Sequence, residues 1–323
     1  MKLEETFMNF LLKHQQEKKR TLNFIILMES LLTAARQISF HYDSAALHKN
    51  LGQSGDKNSH GEDTMTLDLM SHNIVTHYLK ESSQVIQAIS EEAEEVISLN
   101  NDGRYFVYFD PLDGSSNVNH SLPVGFLFGI AKKNLKGEED FHLRKGSEFI
   151  AAGMFTIPTG IFTFALKDAG AWRFLKDKTG GYIRPEKIDL SSKKSELELS
   201  WNAGNRNFFD KKVTNWIAEN EQKYNFRYSG SLAIDFHRLL NNGGMFLYPA
   251  IKNHPDSSKN KPEGKLRLMY EAAVAAFICQ QAGGSAIDEN GVNILDIQPK
   301  DLHQRTALYI GSNDLVNSIK SKL

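Results

Sequence analysis

Asp110 and Asp113 stand three residues apart in the stretch YFVYFDPLDGSSN, residues 105–117, and Gly114, Ser115 and Ser116 follow at once. Two carboxylates held this close repel each other unless a cation joins them, and hard oxygen ligands select Mg²⁺, Mn²⁺ or Ca²⁺. Small residues let backbone N–H groups approach an anion, and a short helix starting here would aim its free N-terminal donors at a phosphate. Metal ligands and an anion cradle within seven residues are the pattern of metal-assisted phosphoryl transfer. The same string also suits a plain surface turn followed by an N-cap. An EF-hand is excluded, because neither the ligand spacing nor a closing glutamate fits.

The elements that must position these groups are legible around them. Tyr105 to Phe109 is aromatic and β-branched, which predicts a buried strand ending at Asp110, where Pro111 and Gly114 break it. Val85 to Ile89 predicts another strand, followed by Ser90 and the acids Glu91, Glu92, Glu94 and Glu95. Such a cluster is ordinarily a solvated helix start. Its place after one strand, with Asp110 and Asp113 after the next, would bring both sets to one sheet edge, where α/β sites form.

Helices are predicted over Phe7 to Leu12, Leu22 to Leu47 and Thr64 to Glu81, with HQQEKKR as a solvated bend after the first and 48–62 as a mobile loop before the third. Asp68 falls in a first turn, where an acid is ordinarily a cap or dipole partner. His72 and His77 miss the i,i+4 spacing of a helical metal pair and read as surface residues. Short apolar runs from Gly125 to Leu175 predict a mainly antiparallel sheet. The polar span Lys176 to Leu199 marks a boundary between an N-terminal subdomain, 1–190, and a C-terminal one, 191–323. Beyond it we expect a helix over Phe208 to Glu221, a strand turning into a helix in FRYSGSLAIDFHRLL, the buried strand MFLYP, a flexible loop from His254 to Gly264, and one long apolar helix from Leu266 to Ala282.

The 38 Lys+Arg and 39 Asp+Glu nearly cancel, so bulk charge points to neither nucleic acid nor membrane. No apolar run reaches the length of a membrane span, and a cytoplasmic protein is expected. A lone cysteine, Cys279, excludes an internal disulfide and a cysteine-rich zinc site; in its apolar run it reads as a small buried hydrophobe.

The ordered blocks SLLTAARQIS, LDLMSHN, SEE, YFDPLDGSSN, SWNAGNR, RYSGSLAIDFHR, FLYP, GKLRLMYE and DLHQR resemble class I fructose-1,6-bisphosphatase, of the lithium-sensitive, magnesium-dependent phosphatase superfamily, from about Leu31 to near the end. The DPLDGSS element by itself would indicate only the superfamily. The resemblance implies an α/β (α+β) fold, a layered α/β/α/β/α sandwich of two subdomains, and Mg²⁺-dependent hydrolysis of the 1-phosphate of fructose 1,6-bisphosphate, with two or three Mg²⁺ per site or Mn²⁺ in their place. It implies Glu91, Asp110, Asp113, Glu271 and the Leu112 carbonyl as metal ligands, Glu62 as an outer one, and Asp68 with Glu92 as the pair that activates water. The 1-phosphate would rest on Asp113, Gly114, Ser115 and Ser116. Asn202, Tyr228, Tyr248 and Lys265 would take the distal phosphate, with Arg267 nearby and Arg227 reaching a neighbour's site in a homotetramer. Taken singly, those tyrosines and Lys265 would pass as half-buried core and surface residues.

Two blocks depart from the family pattern. Asn205 stands at a tyrosine position in SWNAGN. The stretch TLNFI keeps Thr21 but carries Leu22, Asn23 and Ile25 where animal enzymes bind the AMP phosphate, so weak or absent AMP inhibition is expected even though Arg104 and Tyr105 match that site's basic and aromatic partners. The cysteine-bearing redox loop of chloroplast enzymes has no counterpart. Sedoheptulose-1,7-bisphosphatase activity is the nearest rival, and a catalytically silent sugar-phosphate-binding regulator is the rival of another class. An inositol monophosphatase would not need the distal set.

Overall fold

A computed structural model describes residues 4–18, 22–47, 67–133, 142–191 and 196–323. The helices are α1 Phe7–Lys18, α2 Leu22–Leu47, α3 Leu67–Glu81, α4 Lys211–Asn220, α5 Leu232–Asn242, α6 Ala273–Gln281 and α7 Asn313–Lys320. Strands β1 Val85–Ser90, β2 Ile97–Ser98, β3 Tyr105–Asp113, β4 Val124–Lys132, β5 Phe149–Ile157, β6 Ile161–Leu166, β7 Gly170–Lys176 and β8 Tyr182–Ile188 form one sheet in the order β2-β1-β3-β4-β5-β6-β7-β8. A second sheet, ordered β10-β9-β11-β15-β13, uses β9 Glu198–Ser200, β10 Asn225–Phe226, β11 Gly244–Tyr248, β13 Ser285–Ile287 and β15 Leu308–Gly311. Strands β12 Leu266–Arg267 and β14 Arg305–Thr306 pair separately.

These elements stack in the expected α/β/α/β/α order. Helices α1 to α3 cover one face of the eight-stranded sheet, where Phe7 meets Phe162, Phe164 and Phe174 edge-on at ring centroid distances of 5.0, 5.2 and 5.0 Å. Helices α5 and α6 fill the middle, touching β4 and β5 on one side and β15 on the other. Helix α6, with sheets on both sides, is apolar nearly all round, whereas α5 keeps a polar side that carries His237, Arg238, Asn241 and Asn242. Helices α4 and α7 close the far side through Trp216, Ile217, Leu315 and Ile319.

The structure corrects several boundaries. Helix α1 runs on through the expected bend to Lys18; Phe10 and Leu11 bury one face and His14 rests against the Phe10 ring at 4.1 Å. The acids after β1 form a turn, not a helix start. The polar span chosen as a boundary contains β8, an edge strand that buries Tyr182 and Ile188 while turning Arg184, Glu186 and Lys187 outward, as edges that must not aggregate do. Helix α4 starts only at Lys211, where Asp210 accepts the Lys212 N–H, and a 3₁₀ turn, Ala203–Phe208, precedes it. The long helix expected from Leu266 is a strand, then a π-helical turn over Leu268–Ala272, and only then α6. His72 is half-buried, stacked on Phe109 with its Nδ1 2.8 Å from Ser90 Oγ, and is no surface residue. Glu62, Thr21 and the loop 48–62 lie outside the described residues, as do residues 134–141 of the charged connection after β4.

Candidate active site

Strand β3 does not stop at Asp110 but continues to Asp113 through a bulge. Asp110 pairs with Leu127 and Asp113 with Gly125, so β3 spends three residues where β4 spends two. In regular pairing, residues three apart face opposite sides; the extra residue turns both carboxylates to one side. Pro111, which has no N–H for the ladder, sits in that bulge, where the missing donor does least harm. Asp110 Oδ1 accepts the Leu112 N–H at 2.9 Å and steadies the kink.

Strand β1 runs parallel to β3, and the Glu91 N–H extends the ladder to the Phe109 carbonyl at 3.2 Å. Both strands thus deliver their acids at the same carboxyl-end edge. The π turn supplies Glu271 from the other half of the chain, where its Oε2 accepts the Arg267 N–H at 2.6 Å. Ligand oxygens of Asp110, Asp113 and Glu271 all lie within 4.8 Å of one another, and all three residues are buried. Glu91 stays outside this tight group, with Oε1 3.7 Å from Arg267 Nε.

Electrostatics describes a site in want of positive charge. Burial, then Glu91, Asp113 and Glu271, hold Asp110 well above the usual carboxylate range. Burial and Glu91 do the same to Glu271. Asp113 is pushed up by burial to about 6 against hydrogen bonds that oppose the rise. Those bonds come from Ser231 Oγ at 2.6 Å and Ala233 N–H at 2.7 Å, at the N-terminus of α5. Buried acids that favour protonation by mutual repulsion are what a divalent cation would relieve, and the oxygen-only donors fit Mg²⁺ or Mn²⁺.

After the bulge, Gly114 takes φ 80°, and a Cβ there would come within 2.6 Å of the Ser231 Cβ. Only glycine lets the chain turn this close to α5. A 3₁₀ turn, Ser115–His120, follows, anchored by buried Asn117, which donates to the Pro123 and Ser229 carbonyls. Asp68, at the start of α3, reaches Ser115, and burial raises its pKa despite that hydrogen bond. Glu92 stands at the mouth, partly open to water; burial of its inner side, then Asp68 and Glu91, push it up to about 7, with Arg267 opposing.

One cavity of about 360 Å³ joins these groups. Asp68, Glu91, Glu92, Asp110, Leu112, Asp113, Gly114, Ser115, Ser116 and Glu271 line one part; Tyr228, Tyr248 and Lys265 line another. The Tyr228 and Tyr248 hydroxyls are hydrogen-bonded, and Lys265 Nζ lies 5.9 Å from the Tyr248 ring centroid. Three expected residues fall outside this lining. Asn202 caps the 3₁₀ turn that holds Asn205, Arg227 is exposed with its guanidinium on the Phe226 carbonyl, and Arg267 touches the site through Glu91. Sequence reasoning missed Ser231 and Arg305, both in the lining. Ser231 carried an N-cap signal, but the distant partner of its hydroxyl did not show. Arg305, in DLHQR, donates to the Lys265 carbonyl at 2.8 Å.

Two family models cover the chain: "Fructose-1-6-bisphosphatase, N-terminal domain" matches residues 5–186 and "Fructose-1-6-bisphosphatase, C-terminal domain" residues 192–323. A class 1 fructose-1,6-bisphosphatase of Syntrophus aciditrophicus is 55% identical over 99% of this chain and 98% of its own length. One from Chlorobium phaeobacteroides is 36% identical over 89% of this chain and 88% of its own. Among solved structures, Leishmania major fructose-1,6-bisphosphatase in holo form superposes with a TM-score of 0.87 at 30% identity, over 99% of both chains.

Proposed function

Because the chain belongs to the class 1 fructose-1,6-bisphosphatase family, we propose that its cavity hydrolyses the 1-phosphate of fructose 1,6-bisphosphate, giving fructose 6-phosphate and inorganic phosphate. The observation that carries this is the meeting, in one cavity, of the buried carboxylates, the Gly114–Ser116 turn and the Lys265–tyrosine set. A substrate with two phosphates needs two anion sites, and one of them needs acids for chemistry.

Glu91, Asp110, Asp113, Glu271 and the Leu112 carbonyl would hold Mg²⁺, two or three ions per site, with Mn²⁺ as a substitute and Glu62 as an outer ligand. When bound, the ions would offset charge on the phosphoryl group and make a water acidic. The backbone donors of Gly114, Ser115 and Ser116 orient the 1-phosphate. Asp68 and Glu92 hold the water and accept its proton as its oxygen attacks phosphorus in line and the bond to the sugar oxygen breaks. A base with a pKa near neutrality suits this role. Lys265, Tyr228 and Tyr248 fix the distal phosphate, with Asn202, outside the cavity lining, as a further donor, and Arg267 holds Glu91. We further read residues 1–190 and 191–323 as two subdomains meeting at this site. The exposed position of Arg227 favours a role at a neighbour's site in a homotetramer, and the reading is completed by a cytoplasmic location.

No helix among the described residues is long and apolar enough to cross a membrane. The test is phosphate release from fructose 1,6-bisphosphate by the full chain with Mg²⁺ and with excess EDTA, with sedoheptulose 1,7-bisphosphate and inositol 1-phosphate in parallel. Fast release from the first, abolished by EDTA, is expected. Greater efficiency on the seven-carbon sugar would reassign the substrate, and no release from any would leave a sugar-phosphate binder.

A further inference from the structure

Helix-like turns and loops from three parts of the chain meet behind the carboxylates, and one imidazole joins two of them. Tyr270, next to Glu271 in the π turn, is fully buried, and its hydroxyl lies 2.5 Å from His303 Nδ1. His303 Nε2 in turn lies 3.0 Å from the carbonyl of Ala93, the residue after Glu91 and Glu92. A carbonyl oxygen can only accept, so Nε2 carries the proton; Nδ1 of the neutral ring is then an acceptor, and the tyrosine donates to it. The orientation is settled by the network itself.

His303 is itself fixed. Its N–H donates to Asp301 Oδ1 at 2.9 Å, its carbonyl accepts from Arg267 Nη1 at 3.1 Å, and the next carbonyl, that of Gln304, accepts the Leu268 N–H at 2.7 Å. Past the Glu91 N–H, which bonds the Phe109 carbonyl at 3.2 Å, the acid turn after β1 is tied by its backbone N–H groups only locally: Glu92 N–H to Ser90 Oγ at 3.3 Å and Ala93 N–H to the Ser90 carbonyl at 3.4 Å. A one-residue π insertion aims Glu271, and an irregular turn that leaves the β1–β3 ladder at Glu91 aims Glu92, so neither Glu271 nor Glu92 is held by a regular ladder.

We propose that Tyr270 and His303 form a positioning clamp that holds the Glu91–Glu92 turn in register with Glu271, so that carboxylates from the two halves of the chain close on one site. The clamp touches neither substrate nor reacting atoms; it acts through the acids it sets. It rests on the proposed reading of the cavity. Misplacing a reacting group by about 1 Å costs on the order of 10²-fold in rate, and losing a partner that orients a metal ligand weakens metal binding about 10- to 100-fold.

The experiment compares full-length wild type with His303→Ala, His303→Gln, Tyr270→Phe and the Tyr270→Phe/His303→Ala double variant, by Mn²⁺ calorimetric titration without substrate and by kinetics on fructose 1,6-bisphosphate. His303→Ala should weaken Mn²⁺ binding about tenfold or more and lower kcat about 10²-fold with KM for the sugar bisphosphate unchanged, since the Lys265 set is not touched. His303→Gln, whose amide can still donate to Ala93, should recover much of both losses, and the double variant should be no worse than His303→Ala because the pair acts as one unit. Wild-type Mn²⁺ affinity and kcat in His303→Ala would overturn the clamp. So would equal losses in His303→Ala and His303→Gln with KM and kcat falling off together. Should His303→Ala fail to fold, Tyr270→Phe, which removes a single oxygen, decides alone: weaker Mn²⁺ binding supports the clamp and unchanged binding overturns it. A wild type that binds Mn²⁺ but releases no phosphate would refute the proposed activity while leaving the titrations to judge the clamp.

Discussion

Stripping divalent cations should make the protein less stable as pH rises, the reverse of the usual carboxylate behaviour. Asp113 is buried, with a pKa of about 6 in the folded chain against an ordinary 3.8. The folded state therefore holds a proton that the unfolded chain has released, between roughly pH 4 and pH 6. Stability from this group is fully present below the lower value and is lost as pH rises through the higher one. A gap of about two pH units corresponds to about 3 kcal/mol from Asp113. With about 2.1 cal/mol/K of unfolding entropy per residue, 323 residues give about 0.7 kcal/mol/K, so the shift is about 4 °C in Tm. Asp110 and Glu271 are raised by burial and by the same neighbours, so they act in the same direction. Bound cations replace the protons and remove the effect. His72 and His237, whose pKa values burial lowers, push stability the opposite way in the acid range. Their contribution cancels when protein with EDTA is compared with protein in saturating Mg²⁺ at each pH. Differential scanning calorimetry between pH 4 and pH 8 should show the Mg²⁺-minus-EDTA gap in Tm widening by several degrees as pH rises. A gap independent of pH, or one that survives unchanged in Asp113→Asn, would refute the reasoning.

Glu92→Gln should lower kcat by about 10²-fold or more and abolish the rise of kcat/KM with pH that ionisation of this base produces, a rise set below pH 7 because bound cations lower a pKa that reaches about 7 only in the cation-free site; a retained ascending limb would move the base elsewhere. Ser231→Ala removes both a hydrogen bond to buried Asp113 and the N-cap of α5, and urea unfolding should register a loss of about 1–3 kcal/mol. Lys265→Ala should raise KM for the bisphosphate while leaving Mn²⁺ affinity intact, since it lies apart from the acid cluster; calorimetry and initial rates separate the two. Micromolar AMP should leave turnover unchanged, because Ile25 is buried and Leu22 is exposed and apolar where phosphate donors would be needed; strong inhibition at that level would sink the expectation.

Much of the site could be read from DPLDGSS alone, because turn-forming residues and acids have local consequences. The bulge is half-visible: Pro111 announces an interruption that reads as the end of the strand, since pairing with β4 is not written in the residues of β3. Glu271 had no local mark at all. In an apolar run, a glutamate suggests the wet side of a helix, and only the π turn and the tertiary packing aim it inward. His72 was misplaced for the same reason: its spacing excluded a metal pair but could not reveal that Phe109 and Ser90 would enclose it. Helices and the mainly antiparallel sheet followed from periodicity and the layers from the family resemblance, whereas the ends of elements depended on partners far along the chain.

The bulge in β3 also bears on how such a site can arise and be lost. In a regular strand no exchange of side chains would bring two acids three positions apart onto one face; that requires a change in chain length. Deleting Leu112 would let β3 pair smoothly with β4 and leave the aspartates two positions apart, still on one face, but it would remove the kink that Asp110 Oδ1 steadies and the Leu112 carbonyl beside the two acids. A single deletion in this stretch thus changes the spacing of the acids and the backbone oxygen between them while every acid stays in place, and a comparison that scores substitutions alone would not register it.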